Sequence, residues 1–370
     1  LTSIVISLSL GVARRKEMMG GEMPRELLQK KDVEGILFFS PENIRYLTGF
    51  SGSEGYLLVG KDENLLLVDS RYITQAQEET RECRVSLVDK GLTSVAAQVS
   101  SLGLRRLGFE AQGISVARFE QLQKGMGKVE LIPIKDELER LRGSKSGAEI
   151  GLIKKAIQVA EAAWEECLDL VKPGAREADL ALELEYRMKK GGAERMAFDI
   201  IVASGPCSAL PHAQPTPRPI EKGDMLLFDF GCRYRGYCSD ESCTVIVGRA
   251  TEEQRRIYGI VKDAHDRAIA QAGPGVRLAA IDAAAREHID HAGHGEHFGH
   301  GTGHGVGLAV HEWPVVGKDS QAVAEEGMVF TIEPGIYIPG WGGVRIEDMV
   351  LVTADGCEVL TAISKDLMIV

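Results

Sequence analysis

The sequence predicts an α+β protein of two domains: a smaller α/β domain over residues 1–142, then a larger domain over 143–370 built on an antiparallel sheet. Three observations predict it. At 370 residues the chain is longer than one ordinary hydrophobic core supports. Its first third alternates short apolar runs with helical stretches. The remainder segregates helices from glycine-punctuated hairpins, the pattern of an antiparallel sheet flanked by helices.

In the first domain GILFFS, YLLVG and NLLLVDS read as strands, followed by RRLGFE and VELIPI; SVAAQVSSL and SVARFEQLQKGM read as helices between them. The charged stretch DELERLRGSKSGAE crosses into a long helix, IGLIKKAIQVAEAAWEECLDLV, which stops at Lys172, Pro173 and Gly174. Proline removes a donor there and glycine frees the backbone. The second domain then runs helix, helix, strand, hairpin, helix, helix, glycine-rich loop, hairpin and a last strand pair around Asp355 and Gly356.

Composition narrows the function classes. Hydrophobic content of 44% with 26% charged residues is that of a soluble globular protein. A net charge of −11 argues against nucleic acid or an anionic membrane as the main partner, since either calls for a basic patch. No stretch has the length of a membrane span. The opening LTSIVISLSLGV is apolar, but Arg14, Arg15 and Lys16 follow it instead of preceding it, the wrong polarity for a secretory signal. Seven cysteines, with no C-x-x-C pair among them, read as reduced thiols of a cytoplasmic protein; the spacing of Cys232, Cys238 and Cys243 fits no zinc template.

Five metal-type side chains stand in the second domain in the order Asp229, Asp240, His304, Glu333 and Glu347. Any single acid could be a solvated surface charge. Asp229, however, interrupts the apolar run MLLFDF, and Glu333 interrupts MVFTIEPGIYI. A carboxylate written into a core strand needs a partner, and a metal is the obvious one. If a tight turn closes around Tyr234 and Arg235, Asp229 and Asp240 fall directly opposite each other and share a sheet face. The same arithmetic about Gly340 pairs Glu333 with Glu347. Four carboxylates and one imidazole suit two divalent ions, Mn²⁺, Co²⁺ or Fe²⁺ better than a structural zinc. Seven of the nine histidines lie between His288 and His311. His288, His291, His294 and His297 read as an exposed helix end or loop, whereas glycines around His300, His304 and His311 permit close approach of a ligand.

The segments SGPCSALPHAQPTPR, LLFDFGCRYRGYCSDESCT, FGHGTGHGVGLAVHE, GMVFTIEPGIY and GGVRIEDMVLVT resemble, in order and spacing, the pita-bread metallopeptidases of the prolidase and Xaa-Pro aminopeptidase branch. SPENIRYLTGFSGSEGYLLV and VDSRYITQA resemble that family's creatinase-type N-terminal domain. The resemblance implies a pita-bread catalytic domain over 143–370 whose dinuclear ligands are Asp229, Asp240, His304, Glu333 and Glu347. For that ligand set Mn is the expected metal, with Co, Fe or Zn as alternatives. His212 and His311 would contact substrate around the scissile carbonyl, Arg345 would sit beside the metals, and His300 would form a wall of the site. Glu333 would move the proton of the attacking water. A homodimer is expected, with the Gly49 to Gly55 loop of the first domain as a lid.

The expected reaction is hydrolysis of X-Pro bonds in proline-containing dipeptides or oligopeptides. Two alternatives stay open: an aminopeptidase acting on longer X-Pro peptides, and a catalytically inactive binding module of the same fold. Two departures bear on this. SDESCT puts Ser242 and Cys243 where many members have Thr and Arg, and HEWPVV puts Val315 where some dipeptidases carry an arginine for the substrate carboxylate. Without that arginine, His212, Arg345 or Arg218 would take the task.

Overall fold

A computed structural model describes residues 22–80 and 83–370; the apolar opening segment with Arg14, Arg15 and Lys16 lies outside the described residues. The chain divides into two compact units between Arg142 and Gly143.

In the first unit the strands are β1 (Gly35–Phe38), β2 (Tyr56–Gly60), β3 (Asn64–Val68), β4 (Arg84–Leu87), β5 (Arg106–Glu110) and β6 (Glu130–Ile134). They form one mixed sheet in the order β4-β3-β2-β1-β5-β6. Pairing is antiparallel through β1-β2-β3 and parallel at β3-β4, β1-β5 and β5-β6. Alternate residues feed separate cores: Ile36 and Phe38 pack with Ile44, Phe50 and Leu66, while Leu37 packs with Leu67, Val95 and Leu107. Burial on both faces explains why these strands read as unbroken apolar runs. Strand β4, RVSL, escaped that reading because both its end residues are exposed.

The second unit opens with two helices, α1 (Gly147–Leu168) and α2 (Glu177–Lys190), and carries two more, α3 (Glu252–Gln271) and α4 (Leu278–His291). Capping boxes fix the starts of α1 and α3: Ser146 with Glu149, and Thr251 with Gln254. The strands are β7 (Arg195–Met196), β8 (Ile201–Ser204), β9 (Met225–Phe230), β10 (Cys232–Tyr234), β11 (Tyr237–Cys238), β12 (Glu241–Ile246), β13 (Gly303–Gly305), β14 (Glu312–Val316), β15 (Val329–Ile332), β16 (Gly335–Ile338), β17 (Gly342–Arg345), β18 (Asp348–Val352), β19 (Cys357–Val359) and β20 (Met368–Ile369).

Two groups of these strands build the platform for the site, β20-β12-β9-β8 and β14-β13-β15-β18-β19. Every pairing in them is antiparallel except β12 with β20. Helices α1 and α2 bury Trp164, Leu180 and Leu184 against Phe228 and Phe230 of β9. Helices α3 and α4 bury Ile257, Val261 and Ile281 with Phe330 and Val350 of β15 and β18. Strand alternation then sends Asp229, between Phe228 and Phe230, away from the helix-covered face. His288 and His291 end α4, and His294 and His297 lie just past it in a short 3₁₀ turn.

Candidate metal centre

The two hairpins place their carboxylates by different registers. In the second, Val329 pairs with Leu351 and Ile332 with Asp348, and the ladder resumes with Gly335 against Arg345. The register between those segments puts Glu333 across from Glu347, about a turn containing Gly340 at φ 77°. In the first hairpin the expected register is corrected. Asp229 lies opposite Ser242, and Glu241 opposite Phe230. The turn falls at Arg235 and Gly236, at φ 45° and 90°, with Tyr234 paired to Tyr237, one residue later than the turn around Tyr234 and Arg235. Two positive φ values in succession are what a tight antiparallel hairpin demands. Asp240 is therefore the diagonal neighbour of Asp229, still on the same face because it is two residues from Ser242. The chain can pinch there only because residue 231 is glycine: a Cβ on Gly231 would meet the Ser239 carbonyl oxygen at 2.0 Å.

Strand β13 delivers the nitrogen. Asp240, His304 and Glu347 bring one ligand-type atom each within 4.8 Å of one another. His304 Nε2 lies 3.5 Å from Asp240 Oδ2 and 3.4 Å from Glu333 Oε1. The His304 Nδ1–H donates to the Gly305 carbonyl at 3.2 Å, which leaves Nε2 as the unprotonated nitrogen. Burial keeps this ring neutral. A lone pair thus faces two carboxyl groups, an arrangement that a cation among them satisfies. Glycine is again required alongside: a Cβ on Gly303 would meet the Thr331 carbonyl oxygen at 1.9 Å.

Arg345 organises the carboxylates from the side. It is buried, and its guanidinium forms an ion pair with Asp229, donates from Nη1 to the Tyr337 hydroxyl at 2.9 Å and to the Pro211 carbonyl at 3.1 Å, and donates from Nε to Ser242 Oγ at 2.9 Å. The Ser242 hydroxyl donates onward to Glu347 Oε2 at 2.6 Å. The second Asp229 oxygen, Oδ1, is buried without a hydrogen-bond partner. An orphaned carboxylate oxygen beside a lone pair and three further acids fits a divalent cation, the partner that oxygen lacks. The acids themselves register the crowding. Burial first, then Glu347, Asp229 and Glu333, holds Asp240 well above the usual carboxylate range; burial, then Glu333 and Asp229, does the same for Glu347. Glu333 is pushed up to about 7, chiefly by burial and against the pull of Arg345.

Two further histidines, His311 and His300, stand beside the groups of the cluster. The rings of His304 and His311 meet edge to face at 4.2 Å between centroids, and burial lowers the pKa of His311. The Tyr337 hydroxyl, held by Arg345, stands 3.0 Å from His300 Nε2, and His300 Nδ1–H donates to Gly301 at 2.8 Å. Burial lowers His300 to about 4, so it is neutral. His212 is exposed on a loop tied down through Pro211 by Arg345. Sequence reasoning missed Tyr337 and Thr331 as members of this network and noticed Ser242 only as a departure from the family pattern. Thr331 Oγ1 accepts from the His304 backbone N–H at 3.1 Å and donates to Glu333 at 3.3 Å. Their alternation with the acids on the same strands was the available signal. Arg218, considered above as a carboxylate-binding cation, is instead engaged by Asp224 at 2.6 and 3.2 Å and by Ser204.

Residues 151–354, which contain all of these groups, match the model of metallopeptidase family M24, and residues 24–143 match that of the creatinase/prolidase N-terminal domain. The chain is 38% identical over 344 residues to the Xaa-Pro dipeptidase of Pyrococcus horikoshii, covering 93% of this chain and 97% of the relative. Among solved structures it superposes on an Xaa-Pro dipeptidase from Bacillus anthracis with a TM-score of 0.90 at 40% identity, covering 94% of this chain and 98% of the other. It also superposes on an X-Pro aminopeptidase from Thermotoga maritima with a TM-score of 0.84 at 37% identity, covering 92% and 99%. The family match spans the larger unit and its carboxylate cluster, and these relatives run nearly end to end with the chain. It belongs to metallopeptidase family M24, with a creatinase-type N-terminal domain ahead of a pita-bread catalytic domain.

Proposed function

We propose that this protein is an Xaa-Pro dipeptidase in which Asp229, Asp240, His304, Glu333 and Glu347 hold two divalent ions. The observation that carries the reading is the convergence of a neutral imidazole lone pair and four carboxyl groups, one with an unpartnered buried oxygen, on one face of paired hairpins. Its support from relatives is the identity of 38% to an Xaa-Pro dipeptidase over most of both chains. Mn²⁺ is the proposed ion, since an oxygen-rich set with one imidazole suits it, with Co²⁺, Fe²⁺ and Zn²⁺ as competitors in reconstitution. When bound, the ions supply Lewis acidity that acidifies a water and polarises the scissile carbonyl.

The protein's own groups do the rest. Glu333 is held by Thr331 at the centre of the cluster and takes the proton of the attacking water, returning it to the leaving proline nitrogen. His311, neutral and stacked edge-on against His304, donates to the oxygen that gains charge as the carbonyl carbon becomes tetrahedral. Arg345 spends its donors on Asp229, Ser242, Tyr337 and Pro211 and so orients ligands and the His212 loop instead of binding substrate. An X-Pro bond has no amide hydrogen, so a site that reads the chain through that donor fails on it. Here His212 and His300 supply polar walls without requiring one.

The second reading, release of the first residue from longer X-Pro peptides, is favoured by the likeness to the Thermotoga maritima aminopeptidase and by Val315, which is exposed and cannot pair with a carboxylate. Cytoplasmic location and a homodimer complete the proposal; seven free cysteines suit a reducing compartment. Metal-stripped protein reconstituted with Mn²⁺, Co²⁺, Fe²⁺ or Zn²⁺ and offered Ala-Pro tests it: turnover should return with metal, and turnover without metal would overturn the reading.

A further inference from the structure

The strands that carry the cluster have a second charged face. Glu241 directly follows Asp240, and Asp348 directly follows Glu347, so on extended backbone each points opposite to its neighbour. On that far side the two acids meet one cation. Lys365 Nζ forms an ion pair with Glu241, lies 3.3 Å from Asp348 Oδ1 and 3.7 Å from Cys243 Sγ. All three charged side chains are buried, at 6% exposure or less.

The lysine is itself held in place. Its carbonyl accepts from the Tyr258 hydroxyl at 3.0 Å, and three residues on, Met368 pairs with Val245 of β12. Asp348 is further fixed by Thr361 Oγ1 at 2.5 Å and by His265 Nε2 at 3.0 Å. One ammonium therefore ties the strand bearing Asp240 to the strand bearing Glu347, each at the residue next to the acid. Across these strands the site face is linked by Ser242 to Glu347, and the Glu347 N–H donates to the Ser242 carbonyl at 3.2 Å. The tie on the far face joins the same two strands.

We propose that Lys365 is a positioning residue for the metal centre: by clamping Glu241 and Asp348 it fixes the spacing of Asp240 and Glu347 and thereby raises affinity for divalent ions. The inference rests on the reading of Asp240 and Glu347 as metal ligands. Replacing the ammonium with an apolar chain leaves Glu241 and Asp348 buried without the group that joins them, so nothing on that face holds the two strands at their present spacing.

The test is Co²⁺ titration calorimetry on metal-stripped full-length protein, alongside its Tm, for wild type, Lys365→Met, Glu241→Gln and the core control Ile257→Val. Lys365→Met should weaken Co²⁺ binding by at least about tenfold, the scale on which groups behind metal ligands act. Glu241→Gln, which keeps an acceptor but removes the charge, should weaken it less and decides the matter if Lys365→Met does not fold. Ile257→Val should lower Tm and leave the Kd unchanged. Folded Lys365→Met or Glu241→Gln that binds Co²⁺ like wild type, with only Tm reduced, would overturn the proposal. A wild-type protein that binds no Co²⁺, or an Asp240→Asn variant that binds it unchanged, would instead remove the metal-site reading and the clamp with it.

Discussion

Ser242 sits directly across the strand pair from Asp229, and its hydroxyl joins two groups that Asp229 does not itself connect, accepting from Arg345 Nε at 2.9 Å and donating to Glu347 Oε2 at 2.6 Å. It is fully buried, so water cannot replace it. Ser242→Ala should leave a guanidinium donor and a carboxylate oxygen unsatisfied, at about 1–3 kcal/mol. The expected outcome is a loss of metal affinity of about tenfold or more with kcat at saturating Mn²⁺ reduced less, while Ser242→Thr, which keeps the hydroxyl, recovers most of it. Metal titration of the three proteins checks this; an alanine variant with unchanged affinity would show the bridge to be idle.

Asp229→Ala should abolish turnover and lower metal content without unfolding the first unit, which has hydrophobic cores of its own. Its Arg345 partner would also lose its counter-charge in a buried setting, a loss typically of about 3–5 kcal/mol, so the second unit should melt earlier. Asp229→Asn separates the two effects by keeping an acceptor for Arg345. Elemental analysis and activity together check it, and full turnover by a variant confirmed to lack metal would remove the dinuclear account.

If His311 is the donor to developing charge proposed above and not a ligand, His311→Ala should retain metal and lose about 10²–10³ in kcat. Its edge-to-face contact with His304, 4.2 Å between ring centroids, predicts a small accompanying change in Tm. If metal occupancy collapses in this variant, the residue is misassigned.

Protonation supplies a prediction with a definite sign. Glu333 rises from its ordinary 4.5 to about 7, burial being the main cause. Between those values the folded, metal-free protein holds a proton that the unfolded chain has released, so stability falls as pH rises. The contribution is fully present below about pH 4.5 and is lost as pH passes about 7, with Asp240 and Glu347, also raised, extending the loss upward. Metal-stripped protein should therefore melt several degrees lower at pH 8 than at pH 5.5, Mn²⁺ should close the gap, and Mn²⁺ binding should release protons at pH 6 to a detectable extent in buffers of different ionisation enthalpy. A stripped protein that gains stability across this window would contradict the raised carboxylates.

Much of this architecture is legible in the sequence. The hairpin about Gly340 could be read because its acids flank a turn rich in Pro and Gly, and an even count about the turn conserves the face. The other hairpin was misread by one residue, since Arg235 adopts a left-handed conformation usually left to Gly, Asn or Asp, so the Arg235 and Gly236 pair did not stand out as the turn. Both acids nevertheless stayed on one face, because a register change that moves the partner by two residues preserves side-chain direction. What could not be read were links between segments distant in the chain: Ser242 to Arg345, Pro211 to Arg345, and Lys365 to Glu241. Such contacts carry no local period, and only the closing of the sheet creates them. The engagement of Arg218 by Asp224 is the same kind of fact, and it removes from contention a cation that composition alone leaves available.

The most direct test of the account is a comparison of Ala-Pro with Ala-Pro-Ala on protein stripped of metal and then loaded with Mn²⁺. The account predicts no cleavage of either peptide before loading. After loading, Ala-Pro should be cleaved with a kcat/KM at least about tenfold above that of the tripeptide, equivalent to about 1.4 kcal/mol of transition-state discrimination. Cleavage by the stripped protein would contradict the metal centre, and equal or better cleavage of Ala-Pro-Ala would make the enzyme an Xaa-Pro aminopeptidase.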